Sequence, residues 1–128
     1  MNFSTRTEYG LRALSHLDST GKTAVSLASI AKEESISLAY LERMFASLKK
    51  AKVIKADLGK KGGYYLAKPA SKINLFDVIT VLEGDLKPYK CASGDVCHAG
   101  GCSVHHVWVE IYKSIKKTLK SKSLKDIF

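Results

Sequence analysis

"SLAYLERMFASLKKAKVIKADLGKKGGYYLA", residues 37–67, sets a helical pattern directly against a hairpin pattern. Leu41, Phe45 and Leu48 recur at i, i+4 and i+7, the spacing that buries one face of an α-helix. They predict a helix from about Leu38 to Ala51, with Ala39, Tyr40, Glu42, Arg43 and Ala46 left outside. Val53 and Ile54 begin a strand, and Tyr64, Tyr65 and Leu66 form a second. "GKKGG" joins them and supplies three glycines where a tight hairpin needs positive φ.

Working upstream, "SLASIAKEE" predicts a short helix with Ser26 as its cap and Leu27, Ile30 and Ala31 on one face. "SIS" is the turn into the next helix. Two short helices joined by such a turn form a helix-turn-helix, whose second helix enters a DNA major groove with its N-terminal residues at the base edges. Ser37, Tyr40, Glu42 and Arg43 are the candidates for that contact. The lysine-tipped hairpin that follows makes the unit a winged helix, and Lys60 and Lys61 at the tip are placed for phosphates or a minor groove. A surface hairpin kept basic for solubility is the plainer alternative. Before this unit, "STRTEYGLRALSHLDS" predicts a first helix with Ser4 as cap and Tyr9, Leu11, Leu14 and Leu17 at mostly helical spacing.

Charge supports the same reading. The net charge is +9, and it is uneven. Eight lysines (49, 50, 52, 55, 60, 61, 68 and 72) face one acid, Asp57, between Lys49 and Lys72. The tail from Lys113 holds six lysines and one acid, while Ile73–Tyr112 is net acidic. A basic centre of this kind suits a polyanion. The 128 residues predict one compact domain overall, with no apolar run long enough for a membrane and no signal-peptide core in "MNFSTRTEYGLRAL". A cytoplasmic protein without a membrane partner is the expectation.

Downstream, "PASKINLFDVITVLEG" predicts a helix opened by Asn74 with Asp77 in capping-box register, buried through Leu75, Val78, Ile79 and Leu82, and closed by Gly84. A loop over residues 85–102 follows. The expected last helix is capped by Ser103 and carries Val104, Val107, Trp108, Ile111, Ile115 and Leu119 in one stripe. That stripe exceeds what a small helix-turn-helix module needs, and a second copy of the chain would cover it. Packing onto the chain's own core is the alternative. The expected architecture is therefore mainly α with a small β-hairpin: a winged helix-turn-helix region over 1–84, a cysteine loop over 85–102, and a dimerisation helix and tail over 103–128.

The loop holds every cysteine of the chain, spaced Cys91-x5-Cys97-x4-Cys102-x2-His105. An odd count in a reducing compartment disfavours disulfides. Zinc would take three thiolates and one imidazole, although no tight C-x2-C pair is present. Redox-active thiols need nearby positive charge, which Lys87 and Lys90 offer in sequence. An iron–sulfur cluster spans more than one ion, so its ligands can spread over a longer loop flexed by Gly94, Gly100 and Gly101. Spacing alone weighs zinc and a cluster similarly.

The chain resembles the Rrf-two family of bacterial transcription regulators over essentially its whole length. "TEYGLRAL", "ISLAYLERMFASLKKAKVI", "GKKGGYYLAKPAS" and "SLKDIF" carry the likeness, and the cysteines fall where the family's iron–sulfur members bind their cluster. The resemblance implies a homodimeric winged-helix repressor or activator, on a palindromic double-stranded operator, controlled by a cluster that senses iron–sulfur status, redox stress or nitric oxide. Cys91, Cys97 and Cys102 would be the thiolate ligands. Members of the IscR type complete a [2Fe–2S] site with a histidine that His105 matches; members of the NsrR type complete a [4Fe–4S] site with a carboxylate of the other subunit, and Glu8 stands at that place. The second cysteine gap is one residue shorter than the IscR pattern. His105 and [2Fe–2S] are favoured, with Glu8 and [4Fe–4S] as the alternative. Glu42 matches an acidic residue that the family uses for base readout. His98 and His106 are read as bystanders.

No GxSxG, HExxH or phosphate loop is present, so no enzyme is expected. The rival readings are a DNA-binding regulator that uses its cysteines as redox thiols or for zinc, and an iron–sulfur carrier or interaction protein that binds no DNA.

Overall fold

The structure is a computed structural model that describes residues 2–18, 23–59, 62–94 and 102–128. Among the described residues, five α-helices and one hairpin succeed one another as α1 (Thr5–Asp18), α2 (Leu27–Glu34), α3 (Leu38–Lys50), β1 (Ile54–Ala56), β2 (Tyr64–Leu66), α4 (Leu75–Glu83) and α5 (His105–Lys120). Short 3₁₀ turns lie at Ala70–Lys72 and Leu124–Ile127.

The helix-turn-helix is built by its caps. Ser26 Oγ accepts from the Ser29 amide at 3.2 Å and opens α2. Ser35 ends it in the left-handed region at φ 54°, and the Ile36 amide reaches back to the Ala31 carbonyl at 3.0 Å. That six-residue closure turns the chain sharply and drops Ile36 into the core. One residue on, Ser37 Oγ accepts from the Tyr40 amide at 3.4 Å and opens α3. The same device closes α3: Lys52 takes φ 63°, and the Val53 amide bonds the Leu48 carbonyl at 3.0 Å. Val53 therefore finishes the helix, and the strand starts at Ile54, one residue later than the apolar pattern suggests.

β1 and β2 pair antiparallel, with Ile54 opposite Leu66, Lys55 opposite Tyr65 and Ala56 opposite Tyr64. A third, single-residue strand joins them: Val25 and Tyr64 exchange two backbone hydrogen bonds, each of 2.9 Å. This ties the wing to the segment that leads into α2. Phe45 of α3 meets the Tyr64 ring edge-on at 5.3 Å, so the helix also grips the hairpin.

One core joins these elements. Leu14 and Leu17 of α1, Ile30 of α2, Leu41, Met44, Phe45 and Leu48 of α3, Val78 and Leu82 of α4, and Leu124 are all buried. Met44 belongs to that face, which is wider than three residues at i, i+4 and i+7. The polar seams are specific as well. Arg12 and His16 of α1 converge on Glu34 of α2, at 2.6 Å and 2.8 Å, and His16 also reaches Glu33 at 3.3 Å. The hydrogen bond from His16, with the Arg12 guanidinium beside it, holds the Glu34 carboxyl below its ordinary pKa.

The last helix departs from expectation at its start. Ser103 does not cap it. Val104 occupies the position before the first helical residue, with φ −102° and ψ −6°, and no side chain caps the turn. The backbone is already near-helical there, and the Trp108 amide takes the Val104 carbonyl at 3.3 Å, which leaves Ser103 outside. The stripe is where the pattern puts it, and the described residues cover only part of it. No residue of α5 is fully buried. Tyr112 and Leu119 pack against the core, whereas Val104, Val107 and Ile111 stay 48%, 40% and 37% exposed.

Candidate DNA-contacting surface and cysteine centre

Sequence places Ser37, Tyr40, Glu42 and Arg43 on the outer side of the second helix, and the structure separates them into two kinds. Ser37 and Tyr40 have jobs inside the fold. The Ser37 hydroxyl caps α3, and the half-buried Tyr40 ring meets Tyr9 of α1 edge-on at 6.2 Å. Glu42 and Arg43 stand in solvent. Among the described residues Glu42 has no salt-bridge partner. A carboxylate held out in this way can accept from cytosine N4 in a major groove. Arg43 lies 5.8 Å from the Tyr40 ring, which orients its guanidinium along the helix face. Lys60 and Lys61 lie outside the described residues. The wing that carries them is anchored on both sides, because the Asp57 amide bonds the Gly63 carbonyl at 2.9 Å and the Gly62 amide bonds the Gly59 carbonyl at 3.1 Å.

The cysteine loop begins where α4 ends. Gly84 stops α4 at φ 93°, and its amide reaches the Thr80 carbonyl at 2.9 Å. Tyr89 stacks on Trp108 of α5 at 5.7 Å and 23°, bringing the start of the loop against the last helix. Cys91 follows at 9% exposure, in a turn closed by the Ala92 and Gly94 amides. Cys102 is half-buried just ahead of α5. Cys97 and His98 lie outside the described residues. Among the described residues, no three His, Cys, Asp or Glu side chains gather closely enough to hold a metal ion.

His105 shows the most telling atom of the centre. It is the first residue of α5, and its Nδ1 is buried with no hydrogen-bond partner among the described residues. A buried ring nitrogen without a partner is costly, because it has lost water and gained nothing. A metal ion is a partner that such a nitrogen, three residues after a cysteine, would suit. Glu8 is differently placed. It is exposed on α1 and paired with Arg12 at 3.7 Å. His106 is exposed on α5.

Some features of the site have no local signal in the sequence. Glu83, the last residue of α4, accepts from the Ser4 amide and hydroxyl, each at 2.9 Å, and from the Thr7 hydroxyl. It fastens the first turn of α1 to the residue that opens the cysteine loop. The pairs are 79 and 76 residues apart in the chain, and only the fold brings them together.

A helix-turn-helix followed at once by a basic hairpin is the frame of a winged-helix regulator. A family model described as Rrf2, iron-dependent transcriptional regulator, matches residues 3–128. An HTH-type transcriptional regulator of Neisseria meningitidis serogroup A is 35% identical over 129 residues, covering 99% of this chain and 87% of that protein. Among solved structures, CymR, the global cysteine regulator of B. subtilis, superposes with a TM-score of 0.82 at 30% identity over 99% of this chain and 95% of its own. T. potens IscR follows with 0.77 at 35% identity, over 99% and 85%. The chain belongs to the Rrf2 family and is a transcriptional regulator of winged-helix fold, from a family of regulators rather than enzymes. No helix among the described residues is long and apolar enough to cross a membrane.

Proposed function

We propose that this protein is a cytoplasmic, homodimeric regulator that binds a palindromic operator and whose grip on DNA is set by an iron–sulfur cluster held by Cys91, Cys97, Cys102 and His105. The observation that carries the cofactor is the buried Nδ1 of His105, without a hydrogen-bond partner among the described residues, beside a loop that contains all the thiols. The cluster would supply a redox-labile, nitric-oxide-reactive centre. The chain does the rest. Cys91 and Cys102 flank the loop, and the Tyr89–Trp108 stack clamps its entry to α5. A [2Fe–2S] cluster suits the His105 ligand; a [4Fe–4S] cluster with Glu8 from a second subunit is the alternative. Glu42 and Arg43 would read bases, and Lys60 and Lys61 would hold phosphates. The uncovered Val104, Val107 and Ile111 stripe supports the dimer.

One observation favours a second reading. CymR is named a regulator of cysteine, and its structure is as near in shape as any described above. In that reading the cysteines act as redox thiols and hold no iron.

The test is anaerobic purification of the wild type, His105→Ala and Glu8→Ala, with iron, acid-labile sulfide and absorbance measured on each. Stoichiometric iron and sulfide in the wild type, lost with His105→Ala and kept with Glu8→Ala, is the expected result. Loss only in Glu8→Ala replaces the histidine by the carboxylate. Wild-type protein with reactive thiols but neither iron nor sulfide overturns the cluster in favour of the thiol reading.

A further inference from the structure

The C-terminal half of α5 gathers lysines on one side. Lys113, Lys117 and Lys120 stand at i, i+4 and i+7, and all three are exposed. That spacing sets one cation on each turn of a single face, roughly 5 Å apart along the axis. Val107 and Ile111 occupy the other side of the helix. A second copy seated on the apolar stripe would therefore leave the lysines free.

The row continues past the helix, because the tail is pinned to the chain ahead of α4. The Leu75 amide bonds the Lys122 carbonyl at 2.9 Å, and the Leu124 amide bonds the Ile73 carbonyl at 3.0 Å. These bonds bring Lys72 beside the segment that carries Lys122 and Lys125, and all three lysines are exposed. Like charges held together repel, and a pinned backbone cannot spread them. The chain supplies little counter-charge. Among the described residues none of these lysines forms a salt bridge, and neither do Asp77 of α4 and Glu110 of α5. Asp126, the acid of the tail, accepts from the Ser123 amide at 2.7 Å. That hydrogen bond is the first cause of its lowered pKa, and Lys122 and Lys125 are the last.

A surface kept charged for solubility mixes both signs. This face carries one sign, and its cations are lysines. The arginines of the chain, Arg6, Arg12 and Arg43, all lie on α1 and α3. Arginine forks onto a single carboxylate, the pairing an acidic protein would offer. Lysine is a point charge, which suits a row of phosphates.

We propose that this face binds the phosphates of duplex DNA outside the segment that α3 reads. This rests on the reading of the protein as a DNA-binding regulator and extends it. α3 selects the sequence, and the lysine face holds the adjoining duplex whatever its sequence. Affinity then depends on the length of DNA offered as well as on the recognition site.

The test uses the intact protein and two duplexes. One is trimmed to the sequence that the wild type enriches from a random pool, and the other carries the same sequence with unrelated flanks. Affinity is measured by fluorescence anisotropy at several salt concentrations. The wild type should bind the flanked duplex about tenfold more tightly, with a salt slope steeper by about 0.9 for each phosphate engaged. A variant carrying Lys113→Gln, Lys117→Gln, Lys122→Gln and Lys125→Gln should lose that gain and keep wild-type affinity for the trimmed duplex. Arginine at the same four positions should preserve the gain. The proposal is overturned if flanks add nothing to the wild type, or if the glutamine variant keeps the gain. An equal loss on both duplexes, in a variant that melts as the wild type does, overturns it too. If flanks add nothing and polyglutamate binds the wild type but not the glutamine variant, the face takes an acidic protein instead. If no duplex is enriched at all, the DNA-binding reading fails, and this proposal with it.

Discussion

A single carboxylate oxygen, Glu83 Oε2, gathers the start of the chain. It accepts from Ser4 twice and from Thr7, and those bonds, the Thr7 hydroxyl first, hold its pKa below the ordinary 4.5. The charge also sits at the N-terminal end of α1, where the helix dipole favours it. A lowered carboxylate pKa adds stability that is present above the unfolded value and lost as the pH falls through the folded one. Glu83→Gln is therefore expected to cost about 1–3 kcal/mol at neutral pH and to flatten the loss of stability below pH 4.5. Urea unfolding of both proteins between neutral and acidic pH checks this, and parallel curves would show that the carboxylate carries no such role. On α3, Glu42→Ala should change which bases are selected from a random duplex pool, with the discrimination altered by about 1–3 kcal/mol at one position. An unchanged selection would place Glu42 away from the groove. Residues of the first kind were out of reach of sequence, since nothing local marks Ser4 or Thr7 as partners of Glu83. The exposure of Glu42 was readable, because a position early in a second helix is fixed by periodicity, whereas its place at the bases rests on the family resemblance alone.

At the scale of elements, the wing depends on one glycine. Gly63 has φ +114°, and a Cβ there would stand 2.7 Å from the Val25 carbonyl oxygen. That carbonyl is the one that Tyr64 bonds to make the third strand. Gly63→Ala must therefore strain the backbone and push Val25 away, at about 1–3 kcal/mol. Hydrogen exchange should show the Val25 and Tyr64 amides losing protection ahead of the α3 core; protection equal to the wild type would mean that the strand tolerates the shift. The caps show how much of these elements sequence could specify. Ser26 and Asn74 each open the helix predicted for them, because a cap is decided within three residues; Ser37, read only as a DNA contact, caps α3 as well. Asn74 does more than cap: its Nδ2 donates to the Lys120 carbonyl at 2.8 Å. Ser103 failed as a cap because Val104 is already turned to a near-helical backbone. The Val25 strand escaped notice because one residue carries no period.

At the scale of the whole molecule, α5 is half a structure. Its inner side rests on the core through Tyr112 and Leu119, and its outer stripe faces solvent. If a second copy covers that stripe, Val107→Glu combined with Ile111→Glu should leave the monomer fold intact, since neither side chain is buried, and should abolish the dimer. Sedimentation equilibrium checks the mass, and far-UV circular dichroism checks the fold. The paired variant should also lose its advantage for a palindrome over a single half-site. An unchanged dimer would move the interface elsewhere.

The docking of the tail sets an order on biosynthesis. Leu124 is fully buried, and it is locked in place by its own amide on the Ile73 carbonyl at 3.0 Å, next to a bond from the Leu75 amide to the Lys122 carbonyl at 2.9 Å. A nascent chain can cap its early helices as they leave the ribosome, but it lacks a buried leucine until residue 124 emerges. Until then the apolar place that Leu124 fills beside Ile73 stays open. The interval between making the DNA-reading helices and filling that place is when the chain is most exposed to proteases and chaperones. A message cut short within α5 would yield a protein that keeps every candidate DNA contact yet is marked for disposal.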